Sequence, residues 1–189
     1  MGTAEPHLPP ALIRAATAED IPVLMQMCRE LADYEHLSEQ LRATERLFEA
    51  ALFGERPSAE ALIAERGSQA AGYAIFYPTF STFLAIQGVW LEDLFVRPEH
   101  RGAGTGRALL AAVAARLRER GGERLEWSAL DWNELALGFY SGLGAVRMDD
   151  WVTHRLVGEP KRHRKGTSAA RAAESVAASE DGEAAEVAD

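Results

Sequence analysis

Cysteine is almost missing from this sequence, with Cys28 the only one in 189 residues. A single thiol excludes an intramolecular disulfide and any cysteine-built metal cluster, and no metal site is expected. Cys28 falls inside a helical apolar pattern, which makes it a core residue rather than a nucleophile. Long hydrophobic runs are missing too. No apolar stretch approaches the ~20 residues needed to span a membrane, and the N-terminus has neither the basic nor the apolar region of a signal peptide. No membrane is expected as a partner, and a cytoplasmic location is. Positive charge is in deficit, with 20 Lys and Arg against 29 Asp and Glu and a net charge of −9. That balance argues against nucleic acid as a partner and suits a cationic small substrate. Internal repeats are absent.

What is present is material for a core, since 47% of the residues are hydrophobic. The length fits one domain with tails. Residues 1–11 carry several prolines and no periodicity, and are expected to be a disordered leader. Residues 12–158 hold the domain. Residues 159–189 begin with the basic cluster Lys161-Arg162-His163-Arg164-Lys165 and continue as a tract of Ala, Glu, Ser and Asp. With almost no large apolar residue, that tract cannot offset the entropy of ordering, so a disordered tail is expected.

Inside the domain, periodicity sets the elements. Leu12–Ala16 is expected to be a strand. Thr17-Ala18-Glu19-Asp20 starts a helix that buries Ile21, Leu24, Met25, Cys28 and Leu31. A second helix starts at Thr44 and ends at Gly54. Leu62–Glu65 and Gly72–Phe76 form an antiparallel pair around the turn Arg66-Gly67-Ser68-Gln69, and Pro78–Gly88 is expected to be a loop or frayed strand end. Val89–Val96 is a strand, Leu109, Leu110, Val113 and Leu117 mark a helix, and Leu125, Trp127 and Ala129 alternate as a strand. Asn133 caps a short helix holding Leu135, Phe139 and Tyr140, and Trp151–Leu156 is a last strand. The order is βααββ followed by βαβαβ, which implies an α/β fold with a mixed sheet.

The stretch Leu91–Leu117, LEDLFVRPEHRGAGTGRALLAAVAARL, carries the functional signal. A strand leads into Arg101-Gly102-Ala103-Gly104-Thr105-Gly106 and straight on into a helix. The first helical N–H groups have no intrahelical partner, and glycine lets the backbone approach an anion closely. A phosphate loop of the Walker kind needs Gly-Lys-Ser/Thr at its end, but Gly106 is followed by Arg107-Ala108. The dinucleotide fingerprint needs Gly-x-Gly-x-x-Gly, which this loop does not match.

The loop resembles the (Arg/Gln)-x-x-Gly-x-(Gly/Ala) signature of the GCN5-related N-acetyltransferase (GNAT) family. Leu31-Ala32-Asp33-Tyr34-Glu35, Leu91-Glu92-Asp93-Leu94-Phe95-Val96, Trp132-Asn133-Glu134, and Gly138-Phe139-Tyr140 leading to Gly144-Ala145 resemble its spermidine/spermine (diamine) and thialysine acetyltransferase branch. With Ile13-Arg14-Ala15-Ala16-Thr17-Ala18-Glu19-Asp20, which resembles the family's usual opening, they cover roughly Ile13–Leu156, in the family's order. The resemblance implies a single-domain α/β fold with a mixed, mostly antiparallel sheet flanked by helices. It implies acetyl coenzyme A as acetyl donor, a small cationic amine as substrate, and a homodimer.

By the same resemblance, Leu94, Phe95 and Val96 are expected to face the pantetheine arm with backbone groups. Arg101, Gly102, Ala103, Gly104, Thr105, Gly106 and Arg107 are expected at the pyrophosphate, and Asn133 at the cofactor. Tyr140 matches a tyrosine near the thioester sulfur, Glu92 an acid at the amine, and Tyr34 and Glu35 substrate-pocket positions. Where the polyamine enzymes carry an acid before the LED strand, this chain has Phe80-Ser81-Thr82-Phe83, which turns the expectation towards shorter amines such as thialysine.

The chemistry fits those residues. An alkyl ammonium has pKa near ~10 and must lose a proton before it attacks a thioester; Glu92 is the candidate base. Alternation places Glu92 on one strand face with Trp90, Leu94 and Val96, and Asp93 on the opposite face as a structural residue. Tyr140 is the candidate to protonate or hydrogen-bond the departing thiolate. A backbone N–H at Leu94 or Phe95 is the candidate donor to the tetrahedral oxygen. His100 is expected to be exposed, and His36 is a lone histidine with no assigned role. A protein or peptide amine as substrate, and a silent coenzyme A-binding module, are the alternatives.

Overall fold

A computed structural model describes residues 10–156. Nine regular elements follow one another in it: β1 (Leu12–Ala15), α1 (Ile21–Tyr34), α2 (Glu45–Phe53), β2 (Glu60–Arg66), β3 (Gln69–Ser81), β4 (Ile86–Val96), α3 (Thr105–Glu119), β5 (Arg124–Glu126) and α4 (Glu134–Ser141). The five strands form one sheet in sequence order, antiparallel except for the parallel pair β4 and β5. A mixed, mostly antiparallel sheet flanked by helices is thus what forms.

Each start has a local cause. Thr44 caps α2, its side chain accepting from the Leu47 N–H at 3.3 Å. The Thr17 N–H donates to Asp20 Oδ2 at 2.7 Å, and Arg14 holds that carboxylate from β1 at 2.7 Å. Bonding to Arg14 lowers the Asp20 carboxyl to about 2. The turn between β2 and β3 is only Gly67-Ser68, with Gly67 at φ +62. That is the position where a two-residue hairpin of type II′ asks for glycine.

The sheet is covered on both faces. On one, Ile21, Leu24, Met25 and Met27 of α1 and Leu52 of α2 pack on Ile63, Tyr73, Ile75 and Phe95. On the other, Leu109, Val113 and Leu117 of α3 are buried over β2, β3 and β4. Cys28 is half-buried on α1, and burial, then the charge of Asp93, pushes its thiol up to about 11. A thiol held there stays protonated and inert at neutral pH.

Three expectations need correction. Pro78–Gly88 is a hairpin rather than a loop: β3 runs on to Ser81, β4 begins at Ile86, and only residues 82–85 turn. Pro78 lies opposite Val89, and its irregular sequence hid a ladder that pairing sustains. The strand after α3 stops at Glu126, short of Ala129. Trp151–Leu156 forms no strand among the described residues.

The chain divides into two compact units, Met1–Tyr140 and Ser141–Asp189. The first contains the whole sheet. Of the second, the described part has the Gly144 N–H bonding Ser141 O at 2.9 Å with φ +82, a turn closed by Trp151 N–H to Met148 O, and exposed Val146, Trp151 and Leu156. The expected tail, 159–189, and almost all of the expected leader lie outside the described residues.

Candidate active site

β4 carries the first part of the site, and a bulge sets its geometry. Against β3, Asp93 lies opposite Ile75 while Leu91 lies opposite Phe76, so Glu92 is an extra residue without a partner. A bulge shifts the alternation of every side chain beyond it. Trp90, Asp93 and Phe95 therefore share the α1 face with Tyr77, Ile75 and Tyr73. Leu91, Leu94 and Val96 share the α3 face with Phe76 and Ala74. This overturns the expected grouping: Asp93 is not behind the site, and Leu94 and Val96 are on the other side. Trp90 and Glu92 do stay together, the indole Nε1 donating to Glu92 Oε2 at 3.1 Å.

Asp93 is half-buried on the α1 face. Tyr73, with no exposed surface, donates its hydroxyl to Asp93 Oδ2 at 3.1 Å. Burial nevertheless dominates and pushes the Asp93 carboxyl up from 3.8 to about 6. Burial also raises Glu35, the residue that ends α1. The charge of Glu35 is felt both at Asp93 and at Tyr140, whose phenol is pushed up to about 12 by burial first and Glu35 second. Trp127 packs on Tyr140 with ring centroids 4.8 Å apart.

Tyr34 and Asn133 close one side. The Tyr34 hydroxyl donates to Asn133 Oδ1 at 3.1 Å, and the same oxygen accepts from the Ala136 N–H at 3.1 Å. Asn133 thus caps α4 as its sequence predicts. Trp132 sits beside Tyr34 and stacks with His36 at 5.8 Å. Arg101 lies over the Tyr34 ring, 5.0 Å from its centroid, and its Nε donates to Val96 O at 2.8 Å. An open cleft of about 560 Å³ adjoins, lined among others by Asp33, Tyr34, Arg97 and Glu99. Arg97 is fixed by two bonds of 2.8 Å to Glu30.

The glycine loop forms as the sequence requires. Gly102 and Gly104 have φ of +75 and +80, a backbone that disfavours any side chain. A Cβ built at either would meet no atom within 4 Å, so the loop's outer surface is open. α3 follows at Thr105 with Gly104 as its cap, and its first N–H groups have no intrahelical partner. Beside the loop, β4 pairs with β5 only over Gly88–Trp90. From Leu91 to Val96 that edge of β4 has no ladder partner among the described residues, a slot with backbone groups along it. His100 lies behind the loop and is buried, not exposed as expected.

Comparison with known proteins fits this geometry. The model of the acetyltransferase (GNAT) family matches residues 24–145. The chain belongs to the GNAT acetyltransferase family. It is 36% identical over 166 residues to thialysine N-epsilon-acetyltransferase of Sus scrofa, covering 82% of this chain and 97% of that protein. It is 28% identical to L-ornithine N5-acetyltransferase NATA1 of Arabidopsis thaliana, over 78% of this chain and 84% of that one. Among solved structures, an integron cassette protein from the mobile metagenome of V. cholerae shares the fold with a TM-score of 0.67 at 24% identity, covering 79% and 93% of the two chains. The chain is an N-acetyltransferase.

In this GNAT enzyme the structure joins Tyr34 to Asn133 by a hydrogen bond and Glu92 to Trp90, and it shows three residues that the sequence did not single out for the site. Asp93 was misassigned because the bulge is invisible without β3. Tyr73 looked like any strand aromatic. Arg66 looked like a turn residue beside Gly67, yet it is buried at 5% exposure.

Proposed function

We propose that this enzyme moves an acetyl group from acetyl coenzyme A to the primary amine of a small cationic metabolite, a lysine-like amino acid or short diamine, by direct attack in a ternary complex. The observation that carries this reading is the open glycine loop before α3 beside the unpaired edge of β4, with the carboxylates of Glu92 and Asp93 at the β4 bulge. Carboxylates in a partly dry space hold an ammonium and nothing of their own charge. The named relatives, which act on thialysine and ornithine, support the same substrate class.

The donor suits the loop. Gly102 to Arg107 would hold its pyrophosphate on the open N–H groups, and the unpaired edge of β4 would receive the pantetheine arm. The Arg97 N–H donates to Ala71 O, so Phe95 two residues earlier also faces β3; with the Val96 carbonyl accepting from Arg101, the Leu94 backbone groups and the Val96 N–H are those open to the arm. The bound donor supplies a thioester carbonyl open to attack.

The remaining chemistry belongs to the side chains. Glu92, exposed beside the Trp90 indole, takes the proton of the ammonium directly or through water. The backbone N–H of Leu94 donates to the tetrahedral oxygen. Tyr140 holds its proton to about 12, well above the ~8.5 of an ordinary thiol, so it serves the departing sulfur by donating a hydrogen bond rather than by full transfer. No acid stands at the β3–β4 turn, where Phe80, Phe83 and Leu84 are exposed. That favours short amines over long polyamines.

Turnover of acetyl coenzyme A against diamines, polyamines, basic amino acids and peptides tests the reading. The highest kcat/KM is expected for a short diamine or a lysine-like side-chain amine. Preference for a peptide amine would overturn it.

A further inference from the structure

Arg66 ends β2, and at 5% exposure it is the most deeply buried arginine of the described residues. A guanidinium is always charged, and burying one is costly unless its donors are well used. Two of its donors reach the glycine loop. Nε donates to Thr105 Oγ1 at 3.1 Å, and a terminal nitrogen donates to the Ala103 carbonyl at 2.6 Å. Thr105, itself buried, donates its hydroxyl to His100 O at 3.2 Å.

The bond to Ala103 has a directional consequence. In a planar trans peptide the carbonyl and the following N–H point in opposite directions. Drawing the Ala103 carbonyl inward to Arg66 therefore turns the Gly104 N–H outward, towards the open surface of the loop. Ala103 lies between two glycines at positive φ, so without a fixed point this segment has wide conformational freedom. A full positive charge lies directly beneath, at the end of a helix whose dipole already favours anions.

We propose that Arg66 is a positioning residue for the acetyl donor: it holds the Gly102–Thr105 loop in the form that receives pyrophosphate and adds a buried cation behind it. This rests on the reading that the loop binds the donor's pyrophosphate. Arg66 touches no donor atom itself; it acts through Ala103 and Thr105.

The test compares acetyl coenzyme A with S-acetyl-pantetheine, which has the same thioester but no pyrophosphate or nucleotide. Wild-type enzyme is expected to use acetyl coenzyme A at least ~10-fold better in kcat/KM; equal use would overturn the loop reading itself. Given that discrimination, Arg66→Met is expected to raise KM for acetyl coenzyme A by ~10-fold or more, with kcat little changed. Its kinetics with S-acetyl-pantetheine should stay within twofold of wild type. Arg66→Lys keeps the charge but reaches fewer acceptors, and should fall between the two. An equal loss with both donors would mean that Arg66 is merely structural, and an unchanged KM for acetyl coenzyme A would also overturn the proposal. If Arg66→Met fails to fold, Arg66→Lys and Thr105→Ala, each removing a link between Arg66 and the loop, decide by the same ratio of the two donors.

Discussion

The Tyr34 hydroxyl donates to Asn133 Oδ1 at 3.1 Å, joining the end of α1 to the cap of α4 across 99 residues of sequence. One oxygen does two jobs, because it also accepts from the Ala136 N–H. Glu35 follows Tyr34, and Tyr140 lies on α4. The shared oxygen therefore fixes the carboxylate and the phenol relative to each other.

Removing that oxygen has a stability cost. Asn133→Ala should lose a helix cap worth about 1 kcal/mol, a fall in Tm of roughly 2–4 °C for a chain of this size. Asn133→Asp keeps an acceptor for both donors and should restore most of it. Thermal melts of the two variants check this, and an Asn133→Ala protein that melts with wild type would show that the cap carries no weight.

Asp93 makes stability depend on pH. Its folded value, about 6, lies above the unfolded 3.8. Between those values the folded chain keeps a proton that the unfolded chain has lost, so stability falls as pH rises through the window and the penalty is complete above about pH 6. Asp93→Asn removes the charge while keeping an acceptor for Tyr73. Allowing for solvent screening, the gain above pH 7 should be about 1–2 kcal/mol, seen as a higher Tm at pH 7.5 and a gain only about a third as large at pH 4.5. A Tm difference that is the same at both values would contradict the buried-carboxylate argument.

Tyr140→Phe keeps the ring packed on Trp127 and removes the hydroxyl. Affinity for coenzyme A should hold while kcat falls by roughly 10- to 10²-fold, the worth of a hydrogen bond to a developing charge. Calorimetry and steady-state kinetics separate the two, and a kcat within twofold of wild type would leave Tyr140 a packing residue.

Glu92→Gln leaves Trp90 an acceptor and takes away the base. Below the pKa of the amine, where free amine is scarce, kcat/KM should drop by roughly 10²-fold. It should recover in part as pH rises and solvent deprotonates the substrate. The pH–rate profile of both proteins is the measurement. Parallel profiles would remove Glu92 from proton transfer, whatever happens to amine affinity.

Local chemistry explains what the sequence by itself determined. Glycine at positive φ, Thr44 and Asn133 as caps, and 3.6-residue periodicity in α1 and α3 are all properties of a few adjacent residues. From them the strand–loop–helix of residues 91–117 and the order of the elements could be read directly. The rest belongs to pairing between distant segments. The bulge at Glu92 exists only because Asp93 and Leu91 meet adjacent residues of β3, and it alone decides that Asp93 lies on the α1 face and Leu94 on the α3 face. The ladder through Pro78 is held by β4, while Trp151–Leu156, with a strand-like composition, forms none among the described residues. Arg66 is a surface-looking turn residue in one dimension and a buried cation under a helix N-terminus in three. Burial and register depend on which segments meet, and that is settled only when the whole sheet closes on its helices.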